Sequence, residues 1–511
     1  MNKFSPVLRA SHVNSGTSVL RDELPWPKHE GPIIRSPELH LETEERATVT
    51  RFGGLALVQA FLRRFGVARL IDKHVRVFKI HNPYHESDHV LAQALNLYVG
   101  GTCLEDMMHL QHDAAVLRIF GACRLPDPTT AGDFLRRFET YRNPGALAGL
   151  RRANDELQQR VWNRQPRKER RRRRKQMMVL DIDSHIKPLC GEQKQGADFG
   201  YTGQWSYHPF VISMADTGEC LAVRNRPGNA TSAKGVEHVL DELLPRLRKH
   251  SKTVLLRGDS AFDRLPVRQV CQKHGVFFAF VSPEHRGRKG LGDSISDREF
   301  RPFLTRATRR RQAHRQATAN FKSRRKGPNR RKQRARERNY KEMQLRRQWL
   351  VERPHKPLRE SHTYRLVIRR QLIETRRGQQ RLFDEYRYRY VLTSLPKEFS
   401  TEQVIDHTYQ RCDQEKLIEQ MGRHLAAWRM PVAEFDGNSA WLEMARLAWN
   451  LAKWIAQLAL PGEVLRWQWK RFRLHYVFVA AQLIKRARQT WVRLLGPGST
   501  VDPLLWAFDT L

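Results

Sequence analysis

Hydrophobic residues recur with a helical period in the first part of the chain. Apolar residues recur at about every 3.6 positions from Leu55 to Phe65, and similar stretches run from Val90 to Tyr98 and from Leu104 to Phe120. This spacing predicts amphipathic helices. The sequence PDPTTAGDFLRRF predicts one more helix, capped by Thr129 or Thr130. The region before the first strong strand signal is therefore predicted to be helical.

Short apolar segments follow and are typical of strands. They lie at 177–183, 208–215, 220–224, 253–259 and 276–281. Two helices are predicted between them. One carries the apolar face from Val236 to Leu247, with Thr231 or Ser232 as its cap and Pro245 expected to kink or shorten it; the other spans 264–274. Strands alternating with helices predict an α/β sheet with a mixed edge.

The second half of the chain interrupts this pattern and then resumes it. Strands are predicted at 364–373 and 386–395, and the second is expected to rejoin the main sheet. A long helix is predicted from Thr401 to about Leu425, entered through a capping-box-like sequence, and 441–495 is predicted to be helical and rich in Trp. The predicted regions are an extended arm at 1–45, a helical domain at 46–165, a core at 176–283 and 386–440, a basic insertion with strands at 284–385, and a helical region at 441–511.

The charge of the chain predicts the kind of partner that it binds. The 511 residues include 92 Lys and Arg against 53 Asp and Glu, a net charge of +39. A protein with that excess repels itself unless a polyanion is close. From Arg306 to Arg347, 18 basic residues stand against two acidic ones. Nucleic acid is the natural partner, because each neutralised phosphate releases a counterion. An N-terminal helix is then a candidate to enter a DNA groove, beside the plainer interpretation that these helices only pack together.

Other classes of protein are excluded by what the sequence lacks. No run of about 18 uncharged apolar residues occurs, so no membrane span is expected. The first residues have no apolar core of a secretory signal. Six Cys without a CxxC pair predict no disulfide framework and fit a reducing cytoplasm.

Four acidic residues stand at positions that favour metal chemistry. Asp181 and Asp183 alternate on the first core strand, so both side chains are expected on one face. Asp259 ends another strand, at the edge where ligands collect in open α/β sheets, and Glu415 lies on the predicted long helix. Singly, each is ordinary, since such residues more often cap a turn or form a surface ion pair with a neighbour such as Arg411. Together, carboxylates from separate elements favour Mg²⁺ or Mn²⁺.

Several spaced blocks jointly carry a resemblance to a known family. They are LDIDSHIKPLCG, YHPFVISMADTGECLAVRNRPGNATSAKG, LLRGDSAF, YVLTSLP and YQRCDQEKLIEQM. With these blocks the chain resembles the bacterial insertion-sequence transposases of the DDE type, over nearly its whole length. The resemblance implies an α/β fold. Its centre would be a ribonuclease-H-like mixed-sheet catalytic core with a β-rich insertion, flanked by helical N- and C-terminal regions.

The resemblance also assigns the acidic residues. The three catalytic, metal-binding acids of the family correspond to Asp183, Asp259 and Glu415. Asp181 is then a neighbour or an alternative ligand, and an exchange of roles between Asp181 and Asp183 stays open. The implied cofactor is Mg²⁺, with Mn²⁺ as an alternative.

Residues that contact DNA are assigned in the same way. The Tyr–Arg–Glu–Lys signature of the family corresponds to Tyr409, Arg411 and Glu415, with Tyr409 one residue closer to the arginine than in the commonest form. Gly422 stands where the lysine is expected, and the adjacent Arg423 is the substitute candidate. The insertion would lie over DNA through Arg324, Arg325, Lys326, Arg330, Arg331 and Lys332. In the same insertion, Trp349 is a candidate to hold a flipped base, or else a packed side chain.

A reaction and partners follow from the resemblance. Two divalent metal ions would support hydrolysis of one strand at each transposon end, and the freed 3′-hydroxyl would attack the opposite strand or target DNA. The implied assembly is a homodimer on double-stranded DNA, in the bacterial cytoplasm and nucleoid. Another ribonuclease-H-fold nuclease is the first alternative, disfavoured by the long interval from Asp259 to Glu415. The second is a non-catalytic nucleic-acid-binding protein, disfavoured by the complete set of acids.

Overall fold

The computed structural model describes most of the chain. The described residues are 39–44, 46–284, 286–317, 343–376 and 379–511. The predicted arm therefore falls largely outside them, as do Arg324, Arg325, Lys326, Arg330, Arg331 and Lys332. Thr48–Leu511 forms one compact unit. Within the described parts, no helix combines the length and the apolar character needed to cross a membrane.

Helices make up the region before the large sheet, as the periodicity predicts. After strand β1 (Thr48–Thr50) come α1 (Leu55–Phe65), α2 (Val67–His74), α3 (Glu86–Val99), α4 (Met108–Gln111), α5 (Ala114–Phe120), α6 (Pro128–Arg136), α7 (Ala146–Arg164) and α8 (Arg167–Lys175). The predicted cap of α6 is wrong. Asp127, not Thr129 or Thr130, is the N-cap, and its side chain accepts a hydrogen bond from the Thr130 amide. Pro128 favours the first helical position, so the cap must precede it.

The core strands follow in chain order. They are β2 (Met178–Ser184), β3 (Lys187–Pro188), β4 (Asp198–Phe199), β5 (Trp205–Tyr207), β6 (Phe210–Met214), β7 (Cys220–Arg224), β8 (Val254–Gly258) and β9 (Phe277–Ser282). Within one sheet the order is β7-β6-β2-β8-β9. The pairs β7–β6 and β6–β2 are antiparallel, and the pairs β2–β8 and β8–β9 are parallel. This is the strand order of a ribonuclease-H-like core, so the predicted fold class is confirmed.

Two apolar layers cover the faces of this sheet. Leu180 and Ile182 of β2 pack in one cluster with residues of α9 (Val236–Arg248) and α10 (Leu265–Lys273). Val179 faces the other way and packs in a cluster with Val404. Because side chains alternate along a strand, Asp181 and Asp183 share the face of Val179.

A second set of strands extends the sheet beyond β9. After α11 (Arg286–Ser294) these are β10 (Arg301–Pro302), then α12 (Arg306–Ala317), β11 (Met343–His355), β12 (Tyr364–Arg376) and β13 (Gln379–Thr393). Strand β13 pairs with β9 in antiparallel register, from Tyr390 opposite Ser282 to Thr393 opposite Ala279. The segment predicted at 386–395 therefore rejoins the main sheet.

The C-terminal part is built around one buried helix. Its elements are α13 (Thr401–Tyr409), α14 (Cys412–Leu425), α15 (Phe435–Ala459), α16 (Trp469–Tyr476), β14 (Ala481–Arg486), β15 (Gln489–Leu494) and α17 (Gly498–Thr510). Most residues of α15 are buried, including Trp441, Trp449 and Trp454. It contacts α3, α7 and β7, so it joins the N-terminal helices to the large sheet.

The single helix predicted from Thr401 to Leu425 is wrong, because the chain breaks at Gln410 and Arg411. The predicted capping box is present, with Ser400 and Gln403 bonded reciprocally. At the break, the carbonyl of Gln410 accepts a hydrogen bond from Arg257 of the neighbouring strand β8 (3.2 Å). Contacts from the sheet thus take the place of helical hydrogen bonds.

Three further predictions are corrected. The region predicted to be helical at 441–495 ends in the antiparallel hairpin β14–β15, with β1 beside β14. The prediction missed these strands because the partner β1 is distant in sequence. Helix α9 begins after Gly235 (φ +75°), not at Thr231 or Ser232, whose carbonyls accept hydrogen bonds from Arg226. It also continues through Pro245 to Arg248, because Leu244 and Leu247 stay buried in the core.

Candidate active site

Two carboxylates meet at the carboxyl edge of the parallel strands. Asp183 is the next-to-last residue of β2, and Asp259 follows the last residue of β8. Because β2 and β8 are parallel neighbours, these ends lie side by side. An Asp183 oxygen accepts from the Ser184 amide (2.8 Å), and an Asp259 oxygen accepts from the Ala261 amide (2.9 Å). Both residues are partly exposed.

Glu415 reaches this edge from the first turn of α14. The residue before it, Gln414, fixes the helix on the sheet, because its amide nitrogen donates to the carbonyl of Val211 (3.0 Å) and its oxygen accepts from the hydroxyl of Ser213. Gln414 is 2% exposed, whereas Glu415 is exposed. A buried amide therefore holds the backbone while the next carboxylate stays free to meet a ligand.

The three carboxylates act on one another. Burial raises the pKa of the Asp183 carboxyl to about 6; Arg411 opposes this rise, and the negative charges of Asp259 and Glu415 add to it. The effect of both charges on one carboxyl means that the three acids share one electrostatic environment. The structure therefore brings Asp183, Asp259 and Glu415 to the same edge of the sheet.

This donor set suits a divalent cation in its chemistry. It offers carboxylate oxygens, the ligands that Mg²⁺ and Mn²⁺ prefer, and it carries like charges whose repulsion a cation relieves. Across the described residues, however, no three His, Cys, Asp or Glu side chains converge closely enough to hold a metal ion. The acids are thus neighbours around a site, without being closed on a common point.

Asp181 faces the same side but is already paired. Both of its oxygens accept from the guanidinium of Arg257, at 2.7 Å each. The side chains are 2% and 3% exposed. Arg257 also donates to the carbonyl of His407 (2.7 Å). The pair therefore joins two strands to the end of α13, and it leaves no oxygen of Asp181 facing solvent.

Arg411 lies between α14 and strand β2. Its Nη2 donates to the carbonyl of Ile182 (3.1 Å) and lies 3.4 Å from an Asp183 oxygen. The second contact is long for a charged hydrogen bond. Tyr409 is partly buried beneath the guanidinium of Arg369, 5.1 Å from the ring centre. Of these two residues, Arg411 is the one next to the carboxylates.

Comparison with known proteins decides the family. The family model described as transposase DDE domain group 1 matches residues 42–502, which is most of the chain. The chain belongs to this DDE transposase family. Among solved structures, the transposase is similar to a chain of the piggyBac transposase synaptic complex with hairpin DNA. The identity is 10%, the coverage is 84% of this chain and 81% of that chain, and the TM-score is 0.35, too low to carry an argument. No curated protein matches the chain.

The place of the expected lysine has a packing explanation in this transposase. A Cβ atom on Gly422 would lie 2.5 Å from the Trp428 ring, which donates to the carbonyl of Ile418 (3.1 Å). Any side chain at 422 must therefore displace a fixed indole. The neighbouring Arg423 is exposed and pairs with Glu419 (3.2 Å). Arg423 is exposed to solvent.

Trp349 of the transposase is packed within its sheet. It is partly buried on β11, 5.1 Å from the guanidinium of Arg370 and 6.2 Å from the ring of Tyr386. Arg370 also lies over Phe300 at 3.9 Å. Of the two interpretations of Trp349, the packed side chain is the one that these contacts favour.

Two groups at the site escaped the sequence reasoning. Gln414 gives no signal apart from its position before Glu415. His208 contacts the Ser184 hydroxyl (3.1 Å) through Nε2, while its Nδ1 lies 2.7 Å from the carbonyl of Ala230. Nδ1 must donate to that carbonyl, so Nε2 of the neutral ring is an acceptor facing the Ser184 hydroxyl. The residue after Asp183 is thereby fixed by a buried imidazole.

Proposed function

We propose that this transposase cuts DNA at the ends of a bacterial insertion sequence and joins the freed 3′-hydroxyls to target DNA. Asp183, Asp259 and Glu415 are its catalytic carboxylates and metal ligands. The observation that carries the proposal is the position of Asp183 and Asp259 at the adjacent ends of two parallel strands, with Glu415 in the first turn of α14, which contacts β2. Three carboxylates at a strand edge of a strongly basic chain fit a cation-assisted reaction on a polyanion.

Each residue of the proposed site has a role that depends on the strand or helix that carries it. Strands β2 and β8 hold Asp183 and Asp259 rigidly, and α14 supplies Glu415 from its first turn. Mg²⁺ or Mn²⁺ bound by these carboxylates would activate the attacking oxygen and stabilise the leaving oxygen. Arg411, whose contact with Asp183 is long, is free to bind a phosphate oxygen. Asp181 acts as a structural partner of Arg257.

The chemistry requires no energy source. In the first step, water attacks the phosphorus at the element end, a P–O bond breaks, and a 3′-hydroxyl leaves. In the second step, that hydroxyl attacks another phosphodiester, so one P–O bond forms as another breaks. We further propose double-stranded DNA as the substrate and a homodimer as the assembly, because an element has two ends, with the bacterial cytoplasm and nucleoid as its location. The basic insertion and Arg423 contact phosphates.

Cleavage of DNA that carries the inverted repeats flanking the coding region tests this proposal. The wild type is expected to nick and then join such DNA with Mg²⁺, and to lose both activities in EDTA. Asp259→Ala and Glu415→Gln should reduce both activities to background. Glu419→Gln is the matched control, since Glu419 is an exposed acid one turn further along the same helix.

Each alternative has its own result. Equal nicking by Glu415→Gln and the wild type would show that the assigned site is wrong. Nicking without joining would favour another nuclease of the same fold. Binding without metal-dependent nicking by the wild type would favour a non-catalytic DNA-binding protein.

A further inference from the structure

A small sheet interrupts the core directly after the first catalytic strand. Strands β3, β5 and β4 form it in that order, and it carries exposed aromatic rings. Phe199 is 63% exposed and Tyr201 is 81% exposed. The ring of Phe199 lies 5.4 Å from the partly buried ring of Trp205. Phe199 and Tyr201, named here the aromatic platform, therefore present flat apolar surfaces to solvent.

The platform is held firmly against the core. A Cβ atom on Gly228 would lie 2.1 Å from the carbonyl oxygen of Asp198 and 2.3 Å from that of Ser206, so the loop at Gly228 fits the small sheet without a gap. The amide of Asn229 donates to the Asp198 carboxylate (2.5 Å). Rigid placement lowers the entropy that an aromatic side chain loses on binding.

Contacts lead from the platform to the catalytic edge. The ring of Tyr201 lies 6.0 Å from the ring of His208, and His208 bonds to Ser184, which directly follows Asp183. Tyr201 is therefore linked, through His208 and Ser184, to the same end of β2 that carries Asp183.

The chemistry of the platform points to nucleobases. Between residues 187 and 207, all of which the structure describes, the exposed large hydrophobic side chains are both aromatic. Exposed aromatic rings suit stacking, which every base offers whatever its sequence. The net charge of +39 draws the same ligand.

We propose that Phe199 and Tyr201 form a stacking surface for unpaired bases of the DNA strand that enters the active site. This inference rests on the proposed function, because it takes a DNA strand as the substrate of the carboxylates. It adds a binding site on the loop after β2, separate from the basic insertion.

Binding without metal tests the platform apart from catalysis. The probes are a single-stranded oligodeoxythymidylate of about 15 nucleotides with one 2-aminopurine, and a duplex of the same length, in EDTA. Phe199→Ala/Tyr201→Ala should weaken binding of the single strand at least about tenfold and remove the stacking-induced quenching of 2-aminopurine. Duplex affinity should change less than about twofold, since phosphate contacts dominate it. Phe199→Tyr/Tyr201→Phe, which keeps both rings, should bind like the wild type.

Trp506→Ala is the matched control, since Trp506 is 58% exposed on α17. Single-strand affinity of the double alanine variant within about twofold of the wild type would overturn the inference, as would an equal loss in Trp506→Ala. The inference would also be overturned if the double alanine variant lost self-association of the protein while its DNA binding stayed unchanged. That result would assign the platform to a protein contact. Failure of the proposed function appears elsewhere, as cleavage that survives Glu415→Gln.

Discussion

Replacing Asp181 by Asn separates a structural carboxylate from a catalytic one. Asp181 and Arg257 form a bidentate pair with both distances at 2.7 Å, and neither side chain exceeds 3% exposure. Arg257 donates in addition to the carbonyls of His407 and Gln410. The substitution removes the negative charge and leaves the guanidinium buried without its counter-ion.

The expected cost is large. Breaking a buried ion pair by removing one partner costs about 3–5 kcal/mol of the free energy of unfolding, because the remaining charge stays desolvated. In Asp181→Leu/Arg257→Met no charge is left buried. That double variant loses the two hydrogen bonds to backbone carbonyls, at about 1 kcal/mol each. It should therefore be less destabilised than either single variant.

Urea denaturation followed by circular dichroism measures the wild type, Asp181→Asn, Asp181→Leu, Arg257→Met and the double variant. Mn²⁺ titration of the folded Asp181→Asn protein measures its metal affinity. The expected result is a lower midpoint with metal affinity close to that of the wild type. A wild-type midpoint together with a clear loss of Mn²⁺ affinity would refute the reasoning and make Asp181 a ligand.

Two further predictions follow from packing and burial. Gly422→Ala should lower the free energy of unfolding by about 1–3 kcal/mol, because the new methyl group meets Trp428 at 2.5 Å. Gly290→Ala lies in a helix, and its added methyl group meets nothing within 4 Å, so this variant should raise the free energy of unfolding by about 0.5–1 kcal/mol. Thermal melts in which both variants shift the melting temperature in the same direction would contradict this. Burial lowers the pKa of His89 to about 4 in the folded chain, whereas its ordinary pKa in the unfolded chain is near 6.5. Between these pH values the unfolded chain therefore binds a proton at His89 and the folded chain does not. The contribution of His89 to the free energy of unfolding is therefore complete above pH 6.5 and falls as the pH drops towards 4. His89→Gln should flatten the pH dependence of the melting temperature between these two pH values. An unchanged slope in the variant would contradict this prediction.

The strands of the core were predictable because their signal is local. Segments 177–183 and 253–259 each contain a short apolar run, at 177–180 and 254–256, and these become buried central strands in the structure. The strand-end positions of Asp183 and Asp259 were predictable for the same reason. Their proximity follows from the parallel pairing of β2 with β8.

The errors arose where partners distant in sequence decide the local structure. The chain breaks at Gln410 because Arg257, over 150 positions earlier, bonds to its carbonyl. The hairpin β14–β15 is completed by β1, near the other end of the described chain. Asp181 matches Asp183 in sequence pattern, and its different situation follows from Arg257. Neither periodicity nor spacing records such contacts.

A crystal structure of the transposase with Mn²⁺ and element-end DNA tests the central claim most directly. Anomalous scattering locates the metal independently of any assumption about its ligands. The account predicts manganese bound by carboxylate oxygens of Asp183, Asp259 and Glu415, with Asp181 still paired to Arg257. Manganese bound elsewhere, or ligated by Asp181 in place of Asp183, would contradict it.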